Sequence, residues 1–287
     1  MFGCCAPRAM NIYPIKTETN FTALGAFWHK DSPELLERAL YSVCQNSLLP
    51  QEIVLIQDGA VSPELLKVVE DYNFIVPIRL IQLNDNMGLG HAMNVGLKAV
   101  KTPYVIRFDA DDLSLSNRFE VLMTKLSEGY DLVGSQVCEL NGSSSPKTIR
   151  RVPKARKEIA RYLRYRNPFN HMTVGFRCDA VINMGGYPNI KLREDYALWA
   201  RFLASDYKIC NVDEVLVEAS AGDKMILRRG GLSNLLAELK LQWLMVKLHV
   251  QSPIKAVLLG CIRSLGCTLP VFVRKPVYRM YLRDQLR

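Results

Sequence analysis

The sequence predicts an α/β fold: a mostly parallel sheet with helices on both faces. Three observations predict it. Short apolar bursts alternate with helix-period segments through residues 21–140, the rhythm of β-α-β units that feed parallel strands. Two helix starts share one signature, Ser32-Pro33-Glu34 and Ser62-Pro63-Glu64, with Ser as N-cap and Pro at the first helical position. The bursts are continuous rather than alternating, as strands covered on both faces require.

"TALGAFWH" (22–29) reads as the first strand. The helix from Ser32 follows, with Leu35, Leu36, Ala39, Leu40 and Val43 at helical spacing. "EIVLIQDG" (52–59) is the second strand, and the helix from Ser62 repeats the pattern. "IRLIQL" (78–83) is a third strand, and "GLGHAMNVGLKAV" (88–100) a helix opened by glycines. "YVIRFD" (104–109) is a fourth strand, "LSNRFEVLMTKL" (115–126) a helix, and "DLVGSQVCEL" (131–140) a fifth strand. The rhythm then changes. "NGSSSPK" (141–147) is a loop and "KARKEIARYLRYR" (154–166) a very basic helix. Shorter pieces follow: "TVGFR", "DYALWARFLASD", "KICNV" and "VLVEAS". A long helix is expected over about residues 232–249, and the second half is expected to pack on the sheet's carboxyl edge and complete a cleft.

Composition excludes several classes. With 49% hydrophobic and 23% charged residues, the 287-residue chain builds a core and is not a disordered protein. The eight cysteines contain no Cys-x-x-Cys, so no zinc knuckle or redox pair is indicated, and reduced thiols fit best. Residues 1–20 lack the apolar core of a secretory signal and read as a loose extension. The net charge of +9 is unevenly placed. Residues 1–146 carry 11 basic and 17 acidic side chains, residues 147–166 nine basic and one acidic, and residues 243–287 eight basic and one acidic. Basic patches of this kind seek anionic lipid, phosphates or nucleic acid. The acidic front half argues against nucleic acid near the site.

The apolar strand "YVIRF" runs straight into Asp109, Asp111 and Asp112. Three acids in four positions repel one another unless something cationic sits among them. In doubly wound sheets ligands bind beyond the carboxyl ends of strands, where this cluster falls. Asp109-x-Asp111 lets two carboxylates converge on one hard cation, Mg²⁺ or Mn²⁺, completed by substrate phosphates. A solvated turn or helix cap is the plainer alternative.

The chain resembles the family 2 glycosyltransferases, inverting nucleotide-sugar enzymes with a Rossmann-like GT-A fold. Among them it is most similar to bacterial members that build O-antigen, capsule or exopolysaccharide. The matching stretches run in order: "FWHKDSPELLERALYSVCQNSLLPQEIVLIQDG", "NDNMGLGHAMNVGL", "RFDADDLSLSNRF", "NPFNHMTVGFR", "GGYP", "REDYALWARF" and "RRGGL". They cover about residues 22–232, and their order and spacing are more specific than any one of them. The resemblance implies a GT-A domain over 21–232, with a nucleotide-sugar half (21–140) and an acceptor half (141–232), followed by a basic, amphipathic, membrane-associating helical region over 233–287. It implies that Asp58 reads the nucleotide base and that Asn86 and Gly88 approach the nucleotide at a helix N-terminus. The first strand departs from the family pattern, with Ala26 and Phe27 where members often carry a small polar residue; Trp28 then becomes the residue to stack on the base. Asp109 is expected near the ribose or metal and Asp111 on the metal, and Asp112 can exchange roles with Asp111. Asp195 is expected as general base, with Glu194 second. Asn170 and His171 are expected in the acceptor pocket, and Arg228 and Arg229 near diphosphate.

The implied cofactor is a divalent metal and the donor a UDP-sugar, galactose or glucose. The implied acceptor is a sugar on undecaprenyl diphosphate, at the cytoplasmic face of the inner membrane. The apolar stretch 255–274 is broken by Arg263, Gly266 and Pro270, which suits a segment lying on an anionic membrane surface better than one crossing it. Two alternatives stand beside this. One is transfer to a bare polyprenyl phosphate. The other is a basic membrane- or nucleic-acid-binding module with an inactive sugar-nucleotide site.

Overall fold

The computed structural model describes residues 20–140, 147–220, 232–268 and 284–285. One mixed sheet organises them. Strands β1 (Phe21–Phe27), β2 (Glu52–Asp58), β3 (Ile78–Leu83) and β4 (Tyr104–Arg107) are parallel, in the spatial order β4-β1-β2-β3. Helices α1 (Pro33–Cys44), α2 (Pro63–Tyr72) and α3 (Leu89–Ala99) are the crossovers between them. The Ser32 hydroxyl accepts the Leu35 amide at 3.4 Å, as the Ser-Pro signature predicts, whereas Ser62 makes no such side-chain bond.

The second half extends the same sheet, and only short strands of it run against the direction of β1–β4. A two-residue strand β5 (Leu113–Ser114) and helix α4 (Arg118–Ser127) lead into β6 (Leu132–Leu140). After β7 (Thr148–Arg150), the basic helix α5 (Arg156–Leu163) and a short 3₁₀ turn (His171–Thr173) comes β8 (Gly175–Arg177). This three-residue strand lies between β4 and β6, antiparallel to both. Helices α6 (Cys178–Asn183) and α7 (Glu194–Ala204) follow. "KICNV" and "VLVEAS" form one strand, β9 (Ile209–Ser220), parallel to β6 with bulges near Gly134 and Gln136. β9 also holds β5 antiparallel, and β10 (Asp284–Gln285) pairs with the β7 edge. Helices α8 (Leu232–Lys247) and α9 (Pro253–Thr268) form a C-terminal hairpin. The long strands β6 and β9 thus run the same way as β1–β4, and the sheet is mixed but mostly parallel, as the sequence predicts.

Two apolar layers sandwich the sheet. Leu36, Leu40, Leu65, Phe119 and Leu122 of α1, α2 and α4 cover one face. Met93, Leu97, Leu198, Trp199 and Phe202 of α3 and α7 cover the other. Helix α3 lies so close to β1 that a Cβ on Gly96 would meet the Leu24 side chain at 2.4 Å and Ile56 at 3.4 Å. Gly96→Ala should therefore overpack this layer and lower stability by about 1–3 kcal/mol in urea unfolding, despite the better helix propensity of Ala.

Candidate active site

Parallel strands that end together bring the residues after them together. Trp28 follows β1, Asp58 ends β2 and Asp109 follows β4. The Asp58 carboxylate is buried and accepts the backbone amides of Met87 (2.7 Å) and Gly88 (2.9 Å). The Asn86 amide donates to the Asp58 carbonyl at 3.2 Å. Asp58 thus fastens the 86–88 loop, which opens α3, to the end of β2, and each oxygen keeps further acceptor capacity. Trp28 is half-buried, with Lys30 Nζ 4.9 Å from its ring centroid.

Beneath the acidic cluster lies an arginine. Arg107, the last residue of β4, is fully buried and grips Asp109 with both terminal nitrogens, one at 2.5 Å to Oδ2 and the other to Oδ1. Burial disfavours this cation, and Asp109 more than restores it. A second buried guanidinium, Arg118, donates to Ser114 Oγ (2.7 Å), to the Met172 carbonyl (2.7 Å) and to the Arg107 carbonyl. Above them, Asp109, Asp111 and Asp112 each place a carboxylate oxygen within 4.8 Å of the others. The turn is tied to β9: the Ser220 amide donates to Asp112 Oδ1 (3.1 Å) and its hydroxyl to the Asp111 carbonyl (2.9 Å). Burial, then the Asp109 charge, pushes Asp111 up to about 6, and the same causes with Asp111 push Asp112 well above the usual carboxylate range. Crowded, partly desolvated carboxylates of this kind fit a hard divalent cation, which would supply the positive charge they lack.

The second acidic wall is the N-terminus of α7. Glu194 packs against the start of α3, where a Cβ on Gly90 would lie 3.0 Å from Glu194 Cβ. Burial, then the adjacent Asp195, raises Glu194 to about 7. Asp195 Oδ2 accepts the Asn167 amide at 2.6 Å, which leaves Oδ1 as the freer oxygen. Tyr187 joins the two walls. Its hydroxyl is buried, and the carboxylates of Asp195, Glu194 and Asp109 all act on it, as does Arg107. The Arg107 charge also reaches Asp111, Asp112 and Glu194. The "DADD" turn and the α7 acids therefore flank the same buried pair, Tyr187 and Arg107, which form the floor of the candidate crevice. Asn94 of α3 sets Tyr187 in place, donating to its carbonyl (2.9 Å) and accepting its amide (2.7 Å). Gly186 must be glycine here: its φ is +70°, and a Cβ would strike Asn94 Oδ1 at 2.3 Å.

His171 shares a 3.0 Å hydrogen bond with the Tyr187 hydroxyl, and burial followed by Arg107 holds it neutral. It thus reaches the crevice through Tyr187. Asn170 does not line the crevice surface. It is fully buried, and its amide donates to the Ser135 carbonyl at 2.8 Å, so it braces β6 from inside the wall. Arg228 and Arg229 lie outside the described residues. Sequence reasoning assigned no role to Arg107, Asn167 or Tyr187. Arg107 had a signal, since an arginine inside an apolar strand needs an acid partner, and Asp109 lies two residues on, where a strand returns to the same face.

Two outcomes follow from this geometry. Arg107→Met should cost about 2–3 kcal/mol in chemical unfolding, because Asp109 loses its charged partner. Glu194 titrates near 7 when folded and near 4.5 when unfolded. Between those values the native state holds a proton that the unfolded chain has released, so stability falls as pH rises. Measured against Glu194→Gln, the wild-type urea midpoint should drop between pH 5 and pH 8.

Comparison with known proteins agrees with this arrangement. The family described as glycosyl transferase family 2 matches residues 29–185. A UDP-Gal:alpha-D-GlcNAc-diphosphoundecaprenol beta-1,3-galactosyltransferase from Escherichia coli is 34% identical over 265 residues, 92% of this chain and 96% of that protein. The amylovoran biosynthesis glycosyltransferase AmsE of Erwinia amylovora is 34% identical over 260 residues, 90% of this chain and 97% of its own. The fold is also that of S. aureus TarS residues 1–349, solved with UDP-GlcNAc, with a TM-score of 0.65 at 16% identity over 92% of this chain and 76% of that one. A family match over more than half of the chain, with relatives aligned almost end to end, places the protein: it belongs to glycosyl transferase family 2 and is a glycosyltransferase.

Proposed function

We propose that the protein is an inverting hexosyltransferase that moves galactose or glucose from a UDP-sugar to a GlcNAc or GalNAc carried on undecaprenyl diphosphate, in bacterial surface polysaccharide assembly. It would work at the cytoplasmic face of the inner membrane. The observation that carries the reading is the set of three "DADD" carboxylates within 4.8 Å of one another, with Asp109 of that set and the α7 acids Glu194 and Asp195 facing the same buried Tyr187. End-to-end similarity to a galactosyltransferase named for a diphosphoundecaprenol-linked acceptor supports the substrates.

The chemistry follows from the residues. Asp58 and the 86–88 loop hold the nucleotide at the strand ends, and Trp28 offers a face for the base. Asp195, oriented by Asn167, takes the proton of the acceptor hydroxyl as that oxygen attacks the anomeric carbon. The nucleoside diphosphate leaves from the opposite face, so the configuration inverts and no side-chain nucleophile is needed. Glu194, raised beside Asp195, tends to keep its proton near neutrality, which spares Asp195 a second negative neighbour. Asp109, Asp111 and Asp112 would hold Mn²⁺ or Mg²⁺, which when bound offsets negative charge on the diphosphate. Arg228 and Arg229 are the candidates for further diphosphate contacts.

Transfer from UDP-Gal and UDP-Glc to short-chain GlcNAc- and GalNAc-diphosphate lipids, with the linkage read by NMR, tests the reading. Asp195→Asn should lower kcat about 100- to 10,000-fold while UDP binding is kept. Asp111→Ala should remove metal-stimulated UDP release. Transfer to bare polyprenyl phosphate alone would favour the polyprenyl-phosphate enzyme, and absence of any UDP release would favour a binding module.

A further inference from the structure

Helices α8 and α9 turn apolar side chains outward at helical spacing. On α8, Leu236, Leu239 and Trp243 are exposed at i, i+3 and i+7, with Trp243 66% accessible. On α9, Ile254, Val257 and Leu258 are exposed, at 83%, 69% and 59%. The two helices pack together where Leu239 of α8 borders Gly260 of α9. A helix-period apolar stripe that faces solvent is the pattern of a surface awaiting an apolar partner.

The charges around the stripes say which partner. Residues 232–268 contain Lys240, Lys247, Lys255 and Arg263, and one acid, Glu238. Glu238 is buried and neutralised inside by Arg263 (2.7 Å) and Arg193 (3.3 Å). The outward face of the described hairpin therefore carries cations and no acid. Lys247 Nζ sits 5.3 Å from the Trp243 ring centroid, an aromatic body with a charge at its rim. The hairpin turn also abuts the basic helix α5. Arg164 Nε donates to the Val250 carbonyl at 3.3 Å, and Gln251 donates back to the Arg164 carbonyl at 3.4 Å. This adds the exposed Arg161, Arg164 and Tyr165 to the rim. No described helix is long and apolar enough to cross a membrane. Apolar residues flanked by interfacial aromatics and cations suit a helix lying in the headgroup layer of an anionic bilayer.

We infer that the outer face of the α8–α9 hairpin is the surface by which this enzyme seats itself on an anionic membrane. Its position gives the contact a purpose, and this part rests on the reading of a lipid-linked acceptor. The Arg193–Glu238–Arg263 cluster clamps the hairpin to the residue just before Glu194 and Asp195. Arg263 also donates to the Tyr196 hydroxyl at 3.4 Å, next to the base. A bilayer held by the hairpin would thus be anchored through one helix layer to the segment that carries Asp195, and so keep a lipid-borne acceptor near it.

The full chain is tested by co-sedimentation with vesicles of phosphatidylcholine alone or mixed with phosphatidylglycerol. Wild type should bind the mixed vesicles and release them in high salt. Val257→Glu/Leu258→Glu, at exposed positions that leave the core intact, should weaken binding about tenfold or more. The variant should keep wild-type transfer to a short-chain, water-soluble acceptor and lose transfer to a long-chain acceptor embedded in the vesicles. Lys240→Gln/Lys255→Gln should lose the preference for phosphatidylglycerol. Wild type that ignores phosphatidylglycerol vesicles, or a double Glu variant that binds them equally well, overturns the inference. A wild-type dimer that Val257→Glu/Leu258→Glu breaks assigns the face to a second copy instead. Vesicle binding is read without donor or acceptor, so failed transfer to the soluble acceptor counts against the proposed reaction and not against this surface.

Discussion

A guanidinium cannot shed its charge, so burying Arg107 at the end of a central strand demands an acid at once. Asp109 supplies it from two residues on, on the same side of the chain, and its direction is thereby set. Asp111 and Asp112 follow in the same turn, with Asp112 held by the Ser220 amide. Ser220 ties their turn to β9, and β5 pairs with the same strand. Like charges that would spread apart on a free loop are held within reach of one another, over a floor of two buried arginines. That confinement, more than the number of acids, is what makes the turn suited to a cation.

The opposite wall is built by different means. Carboxylates at a helix N-terminus are ordinarily favoured by the helix dipole. In α7 that benefit is outweighed for Glu194 by burial against α3 and by its neighbour. The wall is positioned through α3: Asn94 clamps the Tyr187 backbone, and the bare face of Gly90 admits Glu194. The same helix begins at the loop that Asp58 fastens to β2. One crossover helix thus touches the 86–88 loop at its start and Glu194 and Tyr187 along its side. The two acidic parts of the site are joined through one helix rather than through a linker.

A third constraint ties the C-terminal hairpin to this frame. Glu238 is buried between Arg193 and Arg263, which pull it below the usual carboxylate range against the cost of burial. Breaking that cluster would release both the hairpin and the approach to α7. The outward apolar stripe and the inward ion cluster belong to the same helix, α8.

The β-α-β rhythm, both Ser-Pro helix starts and the placement of "DADD" at a strand's carboxyl end were readable because they depend on local periodicity and short-range capping. The two-residue β5 and three-residue β8 were not. Such short segments carry no period, and they become strands only because β9, β4 and β6 offer them edges. The union of "KICNV" and "VLVEAS" into β9 was hidden by the intervening Asp213 and Glu214, which sit beside a bulge that only the partner strand reveals. Asn170, read as an acceptor contact, is instead a buried brace, since a polar residue in a motif looks the same whether it faces a ligand or a strand. By itself the sequence determined the parallel strands β1–β4 and β6, the acidic cluster at a strand's carboxyl end and the basic bias of the C-terminal region. Only the tertiary structure decided which acid Arg107 neutralises, which wall Tyr187 joins and which face of α8–α9 remains uncovered. Those outcomes depend on contacts between residues far apart in the chain, and no local pattern encodes them.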